Sequence, residues 1–219
     1  AHMIRVENVS KTYGGRVALA PATLDFRPGT TTVLIGPSGC GKSTLLRIMM
    51  GLIDPDSGRV LFGDRELSPA NANELRHRMG YVIQDGGLFP HLTAAGNVAL
   101  LARFLKRPDA DIERRVMELA EVVQLSPDLL ARHPKDLSGG QRQRVGLMRA
   151  LMLDPEIVLL DEPLGALDPI TRSELQAQLK AIFGGIRKTV VLVTHDMGEA
   201  AYLGDDIVLM REGRVIQRR

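Results

Sequence analysis

The sequence has little cysteine, no long apolar run and no large excess of either charge, and each of these shortages excludes something. Its 219 residues contain one cysteine, Cys40, so an intramolecular disulfide is excluded and a reducing, cytosolic setting is the expectation. No apolar run is long enough to span a bilayer, and no signal-peptide pattern opens the chain. The net charge of +2 favours no nucleic-acid partner. If the protein acts at a membrane, another chain must supply the membrane part.

What is present is the composition of an ordinary globular domain, with 44% hydrophobic and 25% charged residues. Ala1 and His2 precede Met3 in the manner of a cloning remnant and carry no structural expectation. Short β-branched runs alternate with segments of helical period, which predicts an α/β fold around a largely parallel sheet. The predicted strands of this sheet are Thr31–Ile35, Tyr81–Ile83, Ile157–Leu160, Thr189–Thr194 and Ile207–Met210.

Two regions differ from this alternation. Near the start, Ile4, Val6 and Val9 together with Arg59–Phe62 predict a small antiparallel β layer. From about residue 85 to 149 the pattern is helical, and Pro108-Asp109 is a typical helix start within it. We therefore expect a single domain over residues 3–219, in which a helical subdomain (about 85–149) is inserted between residues 3–84 and 150–219.

A glycine-rich segment matches the phosphate-binding P-loop pattern G-x-x-x-x-G-K-[ST]. It follows a predicted strand and precedes a helical run over Leu45–Met50, the context that the motif requires. Backbone N–H groups of such a loop approach phosphate oxygens, and the helix N-terminus adds a positive dipole end. Lys42 would neutralise the β- and γ-phosphates, and the Ser43 hydroxyl would bind Mg²⁺. The residues expected to hold nucleotide here are Gly36, Pro37, Ser38, Gly39, Cys40, Gly41, Lys42, Ser43 and Thr44.

Two carboxylates follow four apolar residues at the end of another predicted strand, where α/β sheets bind ligands. Asp161 would hold Mg²⁺, and Glu162 is the candidate general base or water-positioning residue. Two solvated acids at a strand end are the alternative, which the P-loop upstream makes the weaker interpretation. These motifs alone define only a P-loop nucleoside triphosphatase, and kinases, GTPases and helicases remain possible.

The segment Leu137–Gln141 reads L-S-G-G-Q and resembles the signature motif of ABC (ATP-binding cassette) ATPases. Ser138 is also a natural N-cap residue, and the two glycines leave N–H groups exposed at a predicted helix start that runs through Met152. This second anion site has no P-loop beside it, so a nucleotide held by another subunit is its natural ligand. Ser-Gly-Gly alone would be read as a flexible loop.

The resemblance to ABC ATPases extends over essentially all residues after Met3, and it implies roles for further residues. Tyr13 resembles the aromatic that stacks on adenine, with surface packing as the alternative, and Asp168 ends a segment that resembles the D-loop. His195 resembles the switch histidine that contacts the γ-phosphate. Gln84 resembles the Q-loop glutamine, a Mg²⁺ ligand and catalytic residue, at the point where the central strand passes into the helical insert.

The same resemblance implies a RecA-like core and a catalytic cycle. Two copies would pack head-to-tail around two ATP–Mg²⁺, with Ser138, Gly139, Gly140 and Gln141 of one copy closing on ATP held by the other. Hydrolysis would then open the dimer. The implied partners are a second copy, integral membrane permease subunits and, indirectly, an extracytoplasmic substrate-binding protein or domain. The implied location is the cytoplasmic face of the bacterial inner membrane, as a peripheral protein.

Within the family, the segments Gly80–Gln84, Gly87–Thr93 and Leu164–Thr171 resemble the cassettes of quaternary-amine osmoprotectant importers for glycine betaine, choline or carnitine. Importers of polar amino acids are the alternative, and a soluble ABC ATPase of DNA repair or translation is a third interpretation. The chain stops soon after Gln217, without the C-terminal regulatory domain that many osmoprotectant cassettes carry. Two interpretations stay open: a protein without osmotic gating through such a domain, or a trimmed chain.

Two local features carry further expectations. Asp85-Gly86-Gly87 gives the Q-loop more glycine than the resemblance leads us to expect, which predicts a more mobile loop. Leu88–Leu92 is an apolar loop segment, which we name the docking loop because it is a candidate groove wall for a permease helix. The alternative is that Phe89 and Leu92 belong to the core.

Overall fold

Two β-sheets form the framework of the fold in the computed structural model, which describes residues 3–219 except for the side chain of Asp85. Ala1 and His2, predicted to be a cloning remnant, lie outside the described residues. Within them, the strands are β1 (Ile4–Tyr13), β2 (Arg16–Phe26), β3 (Thr31–Ile35), β4 (Ser57–Phe62), β5 (Arg65–Glu66), β6 (Met79–Val82), β7 (Ile157–Asp161), β8 (Thr189–Thr194), β9 (Asp206–Arg211) and β10 (Arg214–Arg218).

The larger sheet has the strand order β10-β9-β3-β8-β7-β6, and its one antiparallel pair is β9 with β10. All five strands predicted for this sheet are confirmed, with ends that shift by one or two residues, as where β6 begins at Met79. Every residue of β3, β7 and β8 is buried, which is why these strands read as continuous apolar runs. The α/β fold class is therefore confirmed.

The smaller sheet is antiparallel, with the order β2-β1-β4-β5, as the early apolar pattern predicted. The sequence pattern did not predict β2. This strand contains Pro21, which lowers the strand signal because proline cannot donate a ladder hydrogen bond. Since β2 is an edge strand, the missing donor leaves no partner unsatisfied.

Helices connect and cover the sheets, and three short 3₁₀ turns (Gln84–Gly87, Pro127–Ala131 and Pro134–Asp136) lie between them. The predicted start after Pro108 is confirmed, and the helix predicted to run through Met152 ends one residue earlier. The extent of the helical insert stays a prediction.

In residues 3–219, none of the helices is long and apolar enough to cross a membrane. The helices are α1 (Lys42–Met49), α2 (Ala72–Arg76), α3 (Ala94–Phe104), α4 (Asp109–Val122), α5 (Gly139–Leu151), α6 (Pro169–Ile186) and α7 (Met197–Leu203).

The large sheet is buried on both faces, and alternate residues of one strand enter two different apolar clusters. Val158 and Leu160 of β7 join the cluster that includes α3, α4, α5 and α6. Ile157 and Leu159 of the same strand join the cluster with α1 and the small sheet. Because successive strand residues point to opposite faces, this double burial fixes the register of β7 and thereby the position of the acidic residues at its end.

Candidate functional site

The carboxyl ends of three adjacent strands bring the P-loop and two of the three predicted catalytic residues to one edge of the large sheet. Strands β3, β8 and β7 are neighbours and run parallel, with Ile35 opposite Thr194 and Asp161 opposite Val193. The P-loop follows β3, His195 follows β8, and Glu162 follows β7. Residues far apart in the chain therefore meet where parallel α/β sheets hold their ligands.

The P-loop is a close turn that only glycine can build at two of its positions. A Cβ on Gly36 would lie 2.1 Å from the Met210 carbonyl oxygen, and one on Gly41 would lie 2.4 Å from that of Ala18. Gly41 also has φ +102, in the region that disfavours other residues. A Cβ on Gly39 would meet nothing within 4 Å, so this glycine borders open space. The loop is thus wedged between strands on one side and open on the other, where a phosphate chain can enter.

Lys42 lies inside this turn with its ammonium group held by the loop itself. The side chain is 3% exposed, and its Nζ donates to the carbonyl oxygens of Gly36 at 2.7 Å and Pro37 at 2.8 Å. The first turn of α1 that follows has no side-chain cap, so backbone N–H groups are left for another acceptor. A buried cation beside free N–H groups at a helix start is a site for a multiply charged anion.

Ser43 and Asp161 join the P-loop to the acidic strand end. The Ser43 hydroxyl donates to Asp161 Oδ1 at 2.8 Å, and the Tyr81 hydroxyl lies 3.4 Å from Asp161 Oδ2. Burial, and then the charge of Asp161, raises the pKa of Tyr81, so this phenol stays a neutral donor. A hydroxyl oxygen beside a buried carboxylate is a donor set of hard oxygens, which fits Mg²⁺ that keeps several waters.

Glu162 has a backbone conformation that is uncommon for its residue type. Its φ is +47, in the left-handed region, and its N–H donates to the Val193 carbonyl of β8 at 3.0 Å. Such a conformation costs on the order of 1 kcal/mol or more and persists only where the surroundings impose it. Its carboxylate Oε2 lies 3.4 Å from His195 Nδ1, so the structure brings this predicted pair together.

Hydrogen bonds that the sequence did not reveal fix the residues on either side of His195 in the chain. The Thr194 hydroxyl donates to Glu199 Oε2 at 2.6 Å and accepts from the Asp196 N–H at 3.0 Å, while Asp196 caps α7 through the Glu199 N–H. Burial raises the pKa of Glu199, with Thr194 opposing the shift. The available signal was the Asp196-x-x-Glu199 spacing, which is typical of a helix start.

The second predicted anion site is the N-terminus of α5. Ser138 and Gln141 form a reciprocal capping box, as Gln141 N–H donates to Ser138 Oγ at 3.2 Å and Ser138 N–H to Gln141 Oε1 at 2.9 Å. A Cβ on Gly139 would lie 3.0 Å from Leu167 Cδ2, and one on Gly140 2.9 Å from a Thr171 methyl. These glycines therefore also allow the segment before α6 to pack on the signature.

Asp168 is the N-cap of α6, where its carboxylate accepts from the N–H groups of Ile170 and Thr171. The hydrogen bonds from Thr171 hold the pKa of Asp168 below its ordinary value. Asp168 is thus an ionised residue between Leu167 and Thr171, the two residues nearest to the signature glycines.

Two predicted site residues stand apart from this cluster. Gln84 follows β6, which is the edge strand of the large sheet and not a central strand as predicted. Its exposed side chain makes no hydrogen bond within the described residues, so it does not contact Ser43 or Asp161 here. Tyr13 ends β1 with half of its surface exposed, and Lys11 Nζ lies 5.5 Å from its ring.

The docking loop is exposed at Phe89, which is 44% accessible, so the core interpretation is wrong for this residue. Leu88 packs against the core instead. The loop is fastened by Asn97 of α3, a fully buried residue whose amide contacts the Phe89 backbone N–H and O as well as the Leu92 and Thr93 carbonyls. Sequence reasoning missed Asn97, although one amide among apolar residues in the first two turns of α3 was the signal.

Comparison with known proteins gives concordant matches. A family model described as ABC transporter matches residues 19–165. The glycine betaine/carnitine/choline transport ATP-binding protein OpuCA of Bacillus subtilis is 45% identical over 216 residues, which are 98% of this chain and 57% of that protein. The sulfate/thiosulfate import ATP-binding protein CysA of Gloeobacter violaceus is 46% identical over 214 residues, 98% of this chain and 61% of that protein.

Among solved structures, a dimeric post-hydrolysis state of the ATP-binding cassette MJ0796 bound to ADP and Pi is similar, with a TM-score of 0.88 and 34% identity. The match covers 99% of this chain and 98% of that one. The chain spans less than two thirds of the length of the two transport proteins above.

Proposed function

The chain belongs to the ABC transporter family, and from this premise we propose that it is the ATP-hydrolysing subunit of a bacterial importer. The observation that carries the proposal is the 2.8 Å contact between Ser43 and Asp161 beside the buried Lys42. It joins a phosphate-binding turn to a carboxylate at one sheet edge. The similarity to a cassette described with bound ADP and Pi supports the same activity.

In the proposed reaction, the P-loop N–H groups and Lys42 hold the β- and γ-phosphates, and the Lys42 ammonium exchanges its loop carbonyls for phosphate oxygens. Ser43 and Asp161 would hold Mg²⁺, which neutralises charge on the phosphates when bound. Glu162 accepts a proton from the attacking water, and its imposed backbone conformation aims the carboxylate. His195, 3.4 Å from Glu162, contacts the γ-phosphate and responds to its loss.

We propose further that the α5 N-terminus serves a second copy of the chain. Ser138, Gly139, Gly140 and Gln141 would close on ATP bound at the partner's P-loop, and Tyr13 would stack on its adenine. Within residues 3–219, no phosphate-binding turn precedes this helix, which supports a ligand held elsewhere. The neighbouring cassette is described as dimeric, which supports two composite sites related by a two-fold axis.

The transport partners and substrate are proposed from the relatives. Quaternary-amine osmoprotectants are the proposed substrates, because a glycine betaine/carnitine/choline transport protein is similar over nearly the whole chain. A sulfate/thiosulfate import protein is equally similar, so identity alone does not separate substrates. Permease subunits, with an extracytoplasmic binding protein or domain, would recognise the substrate. This chain would lie at the cytoplasmic face of the inner membrane, where its helical subdomain (about 85–149) would contact the permease.

A pull-down of the tagged natural protein from its own membranes in mild detergent tests this proposal. We expect a multi-span permease to accompany it, and ATP hydrolysis by the complex to rise with glycine betaine, choline or carnitine. Stimulation by sulfate or polar amino acids would correct the substrate. Recovery of DNA-repair or ribosomal proteins in place of a permease would refute the transport role and leave the ATPase role standing.

A further inference from the structure

The Q-loop packs directly against α5, the helix that begins at the signature motif and is called the signature helix below. Glycines in both the loop and the helix allow this close contact. A Cβ on Gly86 would lie 2.8 Å from the Arg142 carbonyl oxygen of α5, and a Cβ on Gly146 of the same helix would lie 3.1 Å from Gly86 Cα. Gly86 and Gly87 also have φ values of +74 and +54. Glycine is therefore required at position 86 because the loop backbone touches the helix backbone, while the greater mobility of the loop stays a prediction.

Arg149, near the other end of α5, fastens this contact. Its guanidinium donates from Nη1 to the Gly87 carbonyl and from Nη2 to the Gly86 carbonyl, both at 2.8 Å. The guanidinium is part-buried at these two acceptors, and this burial lowers the pKa of Arg149. A planar fork on two consecutive carbonyls fixes orientation as well as distance, which a lysine does not do.

We propose that Arg149 is a positioning residue that fixes the Q-loop to the signature helix, so that Gln84 and Ser138 move as two ends of one rigid unit. The inference rests on the proposed function, because these two residues meet nucleotide from opposite sides of the chain. The 13 residues of α5 span about 20 Å, at ~1.5 Å per residue. A displacement of Gln84 would therefore be transmitted to the signature that closes on the partner's ATP.

The test compares Arg149→Met, which removes both hydrogen bonds, with Arg149→Lys, which keeps the charge and one bond. Arg144→Met is the matched control, since Arg144 lies on the same helix and donates to the Gln124 carbonyl at 2.7 Å, away from the Q-loop. We expect Arg149→Met to lower kcat about tenfold with KM for ATP within about twofold, Arg149→Lys to fall between, and the control to stay within about twofold of wild type.

A double-mutant cycle with Gln84→Ala separates positioning from general damage. If Arg149 acts through Gln84, the Arg149→Met loss shrinks to less than about twofold in the Gln84→Ala background. An equal loss in both backgrounds overturns the inference.

Hydrogen exchange of residues 84–89, measured without nucleotide, gives an independent readout. We expect exchange to rise about tenfold in Arg149→Met and to stay unchanged in Arg144→Met. Equal exchange in the two variants would contradict the proposal that Arg149 fixes the Q-loop to α5. This readout does not need hydrolysis. Absence of ATP turnover in the wild-type protein would therefore refute the proposed function. Hydrogen exchange would still show whether Arg149 fixes the Q-loop to α5.

Discussion

Replacing Asn97 by alanine should destabilise the protein through the docking loop that it holds. The Asn97 amide oxygen accepts from the Phe89 N–H at 2.7 Å. Its NH2 group has two hydrogens and lies within hydrogen-bond distance of three carbonyl oxygens, those of Phe89 at 3.1 Å, Leu92 at 3.2 Å and Thr93 at 3.0 Å. Its side chain is fully buried in α3. One side chain therefore contacts four backbone groups, three of them in the docking loop and one at the Thr93 cap of α3.

The magnitude follows from which groups lose their only partner. The Thr93 carbonyl still accepts from the Asn97 N–H, and the Phe89 carbonyl still accepts from the Leu92 N–H. The Phe89 N–H and the Leu92 carbonyl lose the amide and gain nothing within the protein. An unsatisfied buried group costs about 1–3 kcal/mol, and because both of these contacts are part-buried, we expect a total loss of about 3 kcal/mol for the two groups together. For a chain of this length that corresponds to a fall in Tm of about 6–12 °C.

Urea unfolding of Asn97→Ala and wild type measures this loss, with Asn73→Ala as the control. Asn73 lies on α2 and accepts one exposed hydrogen bond from Arg76 at 3.0 Å, so its loss should stay within about 0.5 kcal/mol. A loss below about 1 kcal/mol for Asn97→Ala would refute the reasoning, because it would mean that water replaces the amide at little cost.

Three further predictions concern other parts of the site. Lys42→Ala should weaken ATP binding itself, because the cradle loses its buried cation; unaltered nucleotide affinity in a titration would contradict the phosphate role. Phe89→Asp should lower permease binding and transport, since Phe89 is the exposed aromatic of the docking loop; intact transport would remove the loop from the interface. Burial raises the pKa of Glu199 above 4.5, so its contribution to stability is present at low pH and is lost as the pH rises through the folded pKa. Glu199→Gln keeps an acceptor for Thr194 and cannot ionise. The stability of this variant, measured relative to wild type by urea unfolding, should therefore be greater at pH 8 than at pH 5. An equal or reversed difference would count against this account.

The parts of this fold that sequence reasoning predicted are those whose causes are local. The strand β8 is buried at every residue, and its apolar run therefore predicts a buried parallel strand directly. The Ser138 cap depends on Gln141, three residues later, and both the pattern and the structure give the same helix start. Motif and periodicity suffice in such cases because the interacting groups are neighbours in the chain.

The features that were missed depend on residues that are distant in the chain. Arg149 donates to carbonyls 62 and 63 residues before it, and no local pattern signals that pairing. The left-handed backbone of Glu162 is held by the hydrogen bond from its N–H to the Val193 carbonyl of the adjacent strand β8. The edge position of β6 was also not readable, because strand order is set by tertiary packing rather than by the sequence of β6 itself.

The central claim is that Glu162 drives ATP hydrolysis between two copies of the chain. Its most direct test compares wild type with Glu162→Gln, measuring the rate of phosphate release and the oligomeric state in ATP. We predict that the variant binds ATP as wild type does, turns over at least about a hundredfold more slowly and accumulates as an ATP-bound dimer. Turnover near the wild-type rate would remove Glu162 from the catalytic role, and a monomer in saturating ATP would contradict the composite site at Ser138.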